Sequence, residues 1–261
     1  MKMRNLLKEK LEVNGYALGA FVASGSSNNA EILGINGLDF ILIDMEHAQT
    51  NMETMVEVAR ASELYGMAAL VRVYDPADGP MMARMLDVGV HGLMIPMVET
   101  PEHAKYIIDN VKIAPLGKRG IGAGRGPRWG WYEDYNNGEC NDNIYTVMQC
   151  ETRKGVENID EICSTPGLDC IFIGTADLSQ DMGCFGYMEN PELVSAIDTV
   201  LKACLNHNVV AGIVTGSPEE ASMRIKQGFK VVTIMNDLGF FRNQSKKHID
   251  NIRKSVAAEH I

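Results

Sequence analysis

The sequence has no surplus of basic residues and no apolar run long enough to cross a membrane. It contains 24 Lys and Arg against 34 Asp and Glu, which gives a formal net charge of −10. Nucleic-acid-binding proteins present clustered Lys and Arg, so this balance argues against a nucleic-acid partner. The first residues, MKMRNLLKEKLEV, carry charges through their apolar positions, which is typical of an amphipathic helix and not of a signal peptide. We therefore expect a cytoplasmic protein without a membrane partner.

The six cysteines include no Cys-x-x-Cys pair, the spacing that is common in zinc sites and redox motifs. They lie in apolar or strand-like contexts, which is typical of reduced, buried thiols. The alternative, a structural zinc site, has little support from the spacing. The six are Cys140, Cys150, Cys163, Cys170, Cys184 and Cys204.

Short apolar runs alternate with amphipathic segments along the chain, and 46% of the residues are hydrophobic. Eight such runs favour a closed (β/α)₈ TIM barrel in one domain, residues 1–261, over a doubly wound open sheet. The predicted strands are Leu18–Val22, Phe40–Ile43, Ala69–Val73, Gly92–Ile95, Tyr145–Cys150, Cys170–Ile173, Val209–Val214 and Val231–Met235. Several predicted helices open on a proline suited to the first turn: Pro80–Leu86, Pro101–Val111, Pro191–Asn206 and Pro218–Gln227.

One long irregular segment, Ala114–Asn143, interrupts this alternation. Its glycines lack the strand-turn-helix setting of a phosphate-binding loop. A loop of this length is usually functional, and two interpretations stay open: a cover over a site, or a packed surface or subunit-contact loop. The residues that would contact substrate in the first case are Arg125, Arg128, Trp129 and Trp131.

Charged residues follow several predicted strands, and the carboxyl ends of barrel strands converge on one face. Glu151 and Asp177 follow two adjacent strands, whose axes should lie about 4.8 Å apart. Their carboxylates would repel each other unless a cation neutralised them. Two carboxylates with no neighbouring thiol form a hard site, which favours Mg²⁺, Mn²⁺ or Co²⁺. The alternative is that each carboxylate caps a helix.

The second and third strands end in a possible base and a possible oxyanion ligand. His47 lies three residues after Asp44, and a carboxylate that orients an imidazole gives a general base near neutral pH. A structural histidine is the alternative. Arg72 would place a permanent charge against an oxyanion, or form a salt bridge to Glu46 or Asp44, and one arginine can do both.

The residue types and motifs that the sequence lacks exclude several kinds of catalysis. No predicted strand ends in lysine, so no amine is placed to form a Schiff base with a carbonyl substrate. The chain also has neither a Gly-x-Ser-x-Gly elbow nor a P-loop, the signatures of the commonest hydrolases and phosphoryl-transfer enzymes. The absences favour metal-assisted chemistry over covalent catalysis.

Five blocks resemble the 4-hydroxy-2-oxoheptanedioate aldolase (HpcH/HpaI) family in order and spacing: LIDMEHA, ALVRV, MLDVGVHGLMIPMV, QCETRKG and FIGTADLSQDMG. This resemblance covers nearly the whole chain and extends to the citrate lyase β superfamily of barrels. It implies a class II aldolase that reversibly cleaves 4-hydroxy-2-oxo acids to pyruvate and an aldehyde, through a metal-stabilised pyruvate enolate.

The resemblance also implies a role for each site residue. Glu151 and Asp177 would bind the metal, and Arg72 would steady the keto or enolate oxygen of the substrate. His47, with Asp44 behind it, would act with a metal-bound water to remove the hydroxyl proton. The implied substrate-binding residues are Arg72, Gln149, Gly174, Thr175 and Ala176, with the last two binding the carboxylate through their amides. Thr175 departs from the family pattern, which has proline there.

Members of this family form trimers or hexamers in which a C-terminal helix is exchanged between subunits. The resemblance implies such a homo-oligomer here, and the alternative is a helix that closes its own barrel. The apolar residues of the predicted last helix are Phe240, Phe241, Ile249, Ile252 and Val256.

Two other functions stay open. One is an acyl-CoA ester lyase of the malyl-CoA or citrate lyase type, which CoA-dependent cleavage would reveal. The other is a catalytically silent barrel that binds a 2-oxo acid, for which pyruvate and metal would bind without turnover.

Overall fold

Eight parallel strands close into a barrel in the computed structural model, which describes residues 2–133, 135 and 138–258. The strands pair in sequence order, and the last pairs with the first. The predicted barrel is confirmed, and each predicted strand boundary agrees to within one residue. The strands are β1 (Ala17–Val22), β2 (Phe40–Asp44), β3 (Ala68–Arg72), β4 (Gly92–Ile95), β5 (Tyr145–Cys150), β6 (Cys170–Ile173), β7 (Val210–Thr215) and β8 (Val231–Asn236).

Side-chain caps define where several helices begin. Thr100 accepts a hydrogen bond from the backbone N–H of His103, and Ser217 accepts one from Glu220; each cap precedes a proline in the first turn. The helices are α1 (Leu6–Asn14), α2 (Ser27–Ile35), α3 (Met52–Leu64), α4 (Gly79–Asp87), α5 (Pro101–Val111), α6 (Arg153–Glu157), α7 (Ile159–Cys163), α8 (Thr175–Asp181), α9 (Pro191–His207), α10 (Pro218–Gln227) and α11 (Asp237–Ala258). Within the described residues, no helix is both long and apolar enough to cross a membrane.

The core has two layers because side chains alternate along each strand. In β2, Phe40 and Leu42 point into the barrel, whereas Ile41 and Ile43 pack against the surrounding helices. Leu7 of α1 joins the inner layer and covers the amino-terminal end. The barrel is therefore filled and closed at that end, and the carboxyl-terminal end is left for a site. None of the six cysteines, all of which lie in the described ranges, forms a disulfide bond; five are buried, as predicted, and Cys184 is partly buried.

A buried lysine ties α5 to the amino-terminal end of the barrel. Lys112 is 1% exposed, and its ammonium donates to the carbonyl oxygens of Asn141 and Ile144. Its Nζ also lies 3.2 Å from a carboxylate oxygen of Asp169, just before β6. Burial lowers the pKa of Lys112, although Asp169 opposes the shift.

We expect Lys112→Met to destabilise the protein by about 2–4 kcal/mol, because it removes the charged donor that two buried carbonyl groups and the Asp169 carboxylate share. Urea unfolding followed by circular dichroism measures the change. Lys118→Met is the matched control: its side chain is 79% exposed and pairs with Asp109 at the surface, so the loss should stay below about 0.5 kcal/mol. Equal effects of the two substitutions would contradict this role of Lys112.

Candidate active site

The carboxyl-terminal end of the barrel brings together polar residues from four strands. Asp44 and Arg72 are register partners at the ends of β2 and β3. Glu151 directly follows β5, and Gly174 directly follows β6. Gly174 lies against the side chains of Glu151 and Gln149. The convergence expected from the strand ends is therefore present in the structure.

Arg72 is held on two edges by carboxylates. Its Nε donates to Asp44 Oδ1 at 3.0 Å, and its Nη2 donates to Asp44 Oδ2 at 2.8 Å. Its Nη1 lies 3.1 Å from Glu46 Oε2. The side chain is 10% exposed, so this bidentate pair is largely shielded from water. Both salt bridges proposed for Arg72 are formed, and the guanidinium is fixed at the mouth of the barrel.

The relation between Asp44 and His47 differs from the expected one. Asp44 Oδ1 accepts the backbone N–H groups of Glu46 and His47, at 3.1 Å and 3.3 Å. The His47 imidazole is 64% exposed, and its Nε2 lies 3.6 Å from Glu46 Oε2. The prediction that Asp44 stands behind the imidazole is wrong, because both oxygens of Asp44 are used by Arg72 and the turn. Glu46 is the carboxylate beside the ring.

Glu151 is buried among groups that fix its orientation. The backbone N–H of Met97 donates to Oε1 at 2.7 Å, and Gln149 donates from Nε2 to Oε2. Burial raises the pKa of Glu151 to about 7, and the negative charges of Asp177 and Glu46 add to that shift. Burial also raises the pKa of Glu46. The site therefore concentrates negative charge that a cation would relieve.

The donor set fits a hard divalent cation. Glu151 supplies a buried carboxylate, and Asp177, in the first turn of α8, is close enough to repel it. The Oε1 atom of Gln149 is buried and has no hydrogen-bond partner among the described residues. No group of three or more His, Cys, Asp or Glu side chains in the described ranges forms a complete metal cage. Two protein carboxylates would thus leave coordination positions for substrate and water, as in open catalytic sites.

We expect the metal-free protein to lose stability as pH rises from about 5 to about 8. The native pKa of Glu151, about 7, lies above its ordinary value of 4.5, so the folded state binds this proton more tightly than the unfolded state. The contribution is fully present below the unfolded pKa and is lost as pH passes through the folded pKa. It amounts to about 3 kcal/mol at most.

Urea unfolding of EDTA-treated protein at several pH values measures this loss. Glu151→Gln, which cannot ionise, should flatten the curve in that window. A variant that keeps the wild-type pH dependence would show that another group causes it.

Thr175 and Ala176 begin α8, directly after Gly174. The first backbone N–H groups of a helix have no partner within the helix, so the two amides are available at this end of the barrel. Thr175 is buried, whereas Ala176 is exposed. Their binding of a substrate carboxylate stays a prediction.

The sequence did not predict Phe21 or Met97 as site residues, and it predicted Glu46 only as a possible salt-bridge partner of Arg72. Glu46 contacts Arg72 and lies beside His47. The ring of Phe21 lies 4.8 Å from the Arg72 guanidinium carbon, and its inward position follows from the two-residue period of β1. Met97, which orients Glu151, has a φ of 55°; no sequence signal marks such a conformation outside glycine.

The segment before β5 lies at the opposite end of the barrel from this site. Arg125 donates to Glu63 Oε2 at 2.7 Å and to the Gly89 carbonyl at 3.0 Å, and Arg128 also pairs with Glu63. Glu63 and Gly89 lie where a helix ends and the chain returns to a strand. A cover over the site of its own barrel is therefore wrong for this loop, and a packed surface or subunit-contact loop stays as the prediction. Trp129 and Trp131 are 66% and 70% exposed.

The fold and site together define a class: a (β/α)₈ barrel with paired carboxylates, an arginine and a histidine at the carboxyl ends of its strands. A model of the HpcH/HpaI aldolase/citrate lyase family matches residues 17–244. The chain belongs to this family, which confirms the predicted resemblance. The expectation of a carbon–carbon lyase is likewise confirmed at the level of the family, whose named relatives include aldolases.

Two relatives are similar over nearly their whole length. The 5-keto-4-deoxy-D-glucarate aldolase of Shigella boydii serotype 18 is 31% identical over 252 residues, covering 96% of this chain and 97% of the relative. The 2-dehydro-3,6-dideoxy-6-sulfogluconate aldolase of Pseudomonas putida is 30% identical over 246 residues, covering 94% and 95%. A Burkholderia cenocepacia J2315 protein of the family is similar in structure, with a TM-score of 0.88, 29% identity and coverage of 95% and 99%.

Proposed function

We propose that this protein is a divalent-metal-dependent aldolase that reversibly cleaves 4-hydroxy-2-oxo acids to pyruvate and an aldehyde. The observation that carries the proposal is the buried Glu151 carboxylate beside Asp177, within reach of the fixed charge of Arg72. The similarity to two named aldolases supports the same reaction class.

Glu151 and Asp177 would hold the cation, with Mg²⁺, Mn²⁺ and Co²⁺ as the candidates. When bound, it would supply Lewis-acid polarisation of the 2-oxo group. Arg72 places its guanidinium against the negative charge that develops on the 2-oxo oxygen during cleavage. His47 accepts the proton of the 4-hydroxyl group, and Glu46 stabilises the imidazolium that results.

The remaining residues orient the substrate. Gln149 lines the floor beside Glu151 and borders the pyruvyl part. The amides of Thr175 and Ala176 hold the substrate carboxylate. Cleavage of the bond between C3 and C4 then releases the aldehyde, and protonation of C3 releases pyruvate.

Pyruvate release from a panel of 4-hydroxy-2-oxo acids tests the proposal. The panel includes sugar-acid substrates of the kind named for the two relatives. Protein stripped with EDTA should be inactive, and adding Mg²⁺, Mn²⁺ or Co²⁺ should restore release. Cleavage that requires a CoA ester would instead identify an acyl-CoA lyase, and binding of pyruvate and metal without turnover would identify a silent binding protein.

We also propose that α11 packs on a second copy of the chain in a homo-trimer or homo-hexamer. Phe241 and Ile252 are 74% and 65% exposed on this helix. An apolar cavity of about 660 Å³ lies between α2 and the start of α11. Ile32 and Leu238, which line it, are also exposed. Burying these surfaces against another subunit removes apolar area from water.

We expect the double substitution Phe241→Asp and Ile252→Asp to convert the oligomer to a monomer, because two charges cannot be buried in an apolar contact without a large cost. Light scattering during size exclusion measures the mass, with circular dichroism to confirm folding. Lys247→Asp, a charge change at another exposed position of α11, is the control and should keep the wild-type mass. A monomeric wild-type protein would contradict the arrangement.

A further inference from the structure

The inner face of β1 supplies an aromatic contact to the site. Phe21 lies one residue before the end of β1, in the layer of inward-facing side chains, and is partly buried. The centre of its ring lies 4.8 Å from the guanidinium carbon of Arg72. A cation over an aromatic ring is attracted by the negative face of the ring, and the attraction grows when water is excluded.

The Phe21 ring is itself fixed by packing. Phe172, a fully buried residue of β6, meets it edge-on, with ring centroids 6.4 Å apart and an angle of 78° between the planes. Such edge-to-face pairs restrict the rotation of both rings. Phe172 of β6 therefore packs against Phe21 of β1, and Phe21 packs against Arg72 of β3.

An irregularity in β8 lies directly beside Phe21. The pairing of β1 with β8 shifts register between Gly19 and Phe21, so that Phe21 lies opposite Asn236. Met235, the residue before this partner, has a φ of 65°. A bulge of this kind turns the neighbouring strand and re-aims its side chains, and such bulges are common beside active sites. Strained backbone persists only where the surrounding structure enforces it.

We propose that Phe21 is a positioning residue that holds the Arg72 guanidinium in the orientation the reaction requires. Asp44 and Glu46 bind the edges of the guanidinium and so restrain it within its own plane. Tilting of the guanidinium out of that plane is opposed only by a group that packs against its face. Phe21 supplies that group. The consequence for turnover rests on the proposed function, whereas the orientation of Arg72 does not.

The test uses two variants of the full chain, Phe21→Leu and Phe21→Tyr. Leucine keeps an apolar side chain but has no ring face, and tyrosine keeps the ring. The first readout is the NMR resonance of the Arg72 Nε–H group, assigned by its disappearance in Arg72→Lys. This resonance should move in Phe21→Leu and stay near its wild-type position in Phe21→Tyr, because the ring current acts on the group it covers.

Arg119 provides an internal control for that readout, since its guanidinium carbon lies 5.5 Å from the centre of the Tyr135 ring at the other end of the barrel. Its resonance should be unchanged in both variants. Thermal unfolding confirms that each variant is folded. An unmoved Arg72 resonance in Phe21→Leu, or equal displacement in Phe21→Tyr, would overturn the proposal.

The second readout is metal-dependent turnover. We expect Phe21→Leu to lower kcat by about tenfold, with little change in metal affinity, and Phe21→Tyr to restore most of the loss. The wild-type protein could prove unable to cleave any 4-hydroxy-2-oxo acid while Phe21→Leu still displaces the Arg72 resonance. In that case the positioning contact stands and the proposed function fails. Unchanged kcat in Phe21→Leu, beside an active wild type, would contradict the importance of the contact for the reaction.

Discussion

Gly174→Ala is expected to reduce metal-dependent turnover by at least about 100-fold while the barrel stays folded. A Cβ at this position would overlap Glu151 Oε2 and lie 2.6 Å from Gln149 Nε2. The backbone of Gly174, with φ −84°, is one that alanine can adopt, so the methyl group is the cause of the effect. It would push the Glu151 carboxylate away from its contact with the Met97 N–H and occupy space beside this proposed metal ligand.

The measurement combines kcat with metal affinity by titration calorimetry and the midpoint of thermal unfolding. Gly120→Ala is the matched control, because a Cβ there meets nothing within 4 Å; it should behave as wild type. Wild-type kcat and metal affinity in Gly174→Ala would show that the space beside Glu151 has no part in catalysis.

The second large loss of activity is expected when either proposed metal ligand is substituted. Glu151→Gln and Asp177→Asn keep the shape of each side chain but remove its charge, and each should lower kcat by about 1,000-fold because Lewis-acid activation is lost. Metal affinity should fall in parallel. Removal of the Glu151 charge also relieves repulsion in the metal-free protein, so that variant should be more stable than wild type above about pH 7.

Glu46→Gln distinguishes a residue that binds the metal from one that only adds negative charge to the site. Glu46 shares the negative field of the site but contacts Arg72 and His47. We expect this variant to retain metal affinity within a few-fold and to lose turnover through the base and the arginine. A loss of metal affinity in Glu46→Gln equal to that in Glu151→Gln would assign Glu46 as a ligand and require a different site.

The fold could be predicted from sequence because each strand is a short apolar run bounded by polar residues or glycine. Parallel strands that are buried on both faces have that sequence pattern. Capping residues followed by proline indicated where helices such as α5 and α10 begin. The site followed from the same reasoning: once eight strands are placed in order, Glu151 and Asp177 must come to the same end.

Contacts between particular atoms were beyond sequence reasoning. The spacing of Asp44 and His47 is compatible with a contact to the imidazole or to the backbone, and the choice depends on Arg72, which is distant in the chain and occupies both carboxylate oxygens. The end of the barrel at which the long loop lies could have been predicted from the order of helices and strands alone. It follows α5 and precedes β5, so it belongs to the amino-terminal end, where Arg125 is bound by Glu63.

The most direct test of the central claim is exchange of the methyl hydrogens of pyruvate for deuterium. It requires only pyruvate, the metal and the groups that stabilise negative charge on the 2-oxo oxygen, so it does not depend on the identity of the aldehyde. EDTA-stripped protein is incubated with pyruvate in deuterated water before and after addition of Mg²⁺, Mn²⁺ or Co²⁺, and recovered pyruvate is analysed by mass spectrometry. We predict exchange that is restored by metal in wild type and absent in Glu151→Gln. Folded wild-type protein that exchanges no hydrogen with any of the three metals would contradict the account.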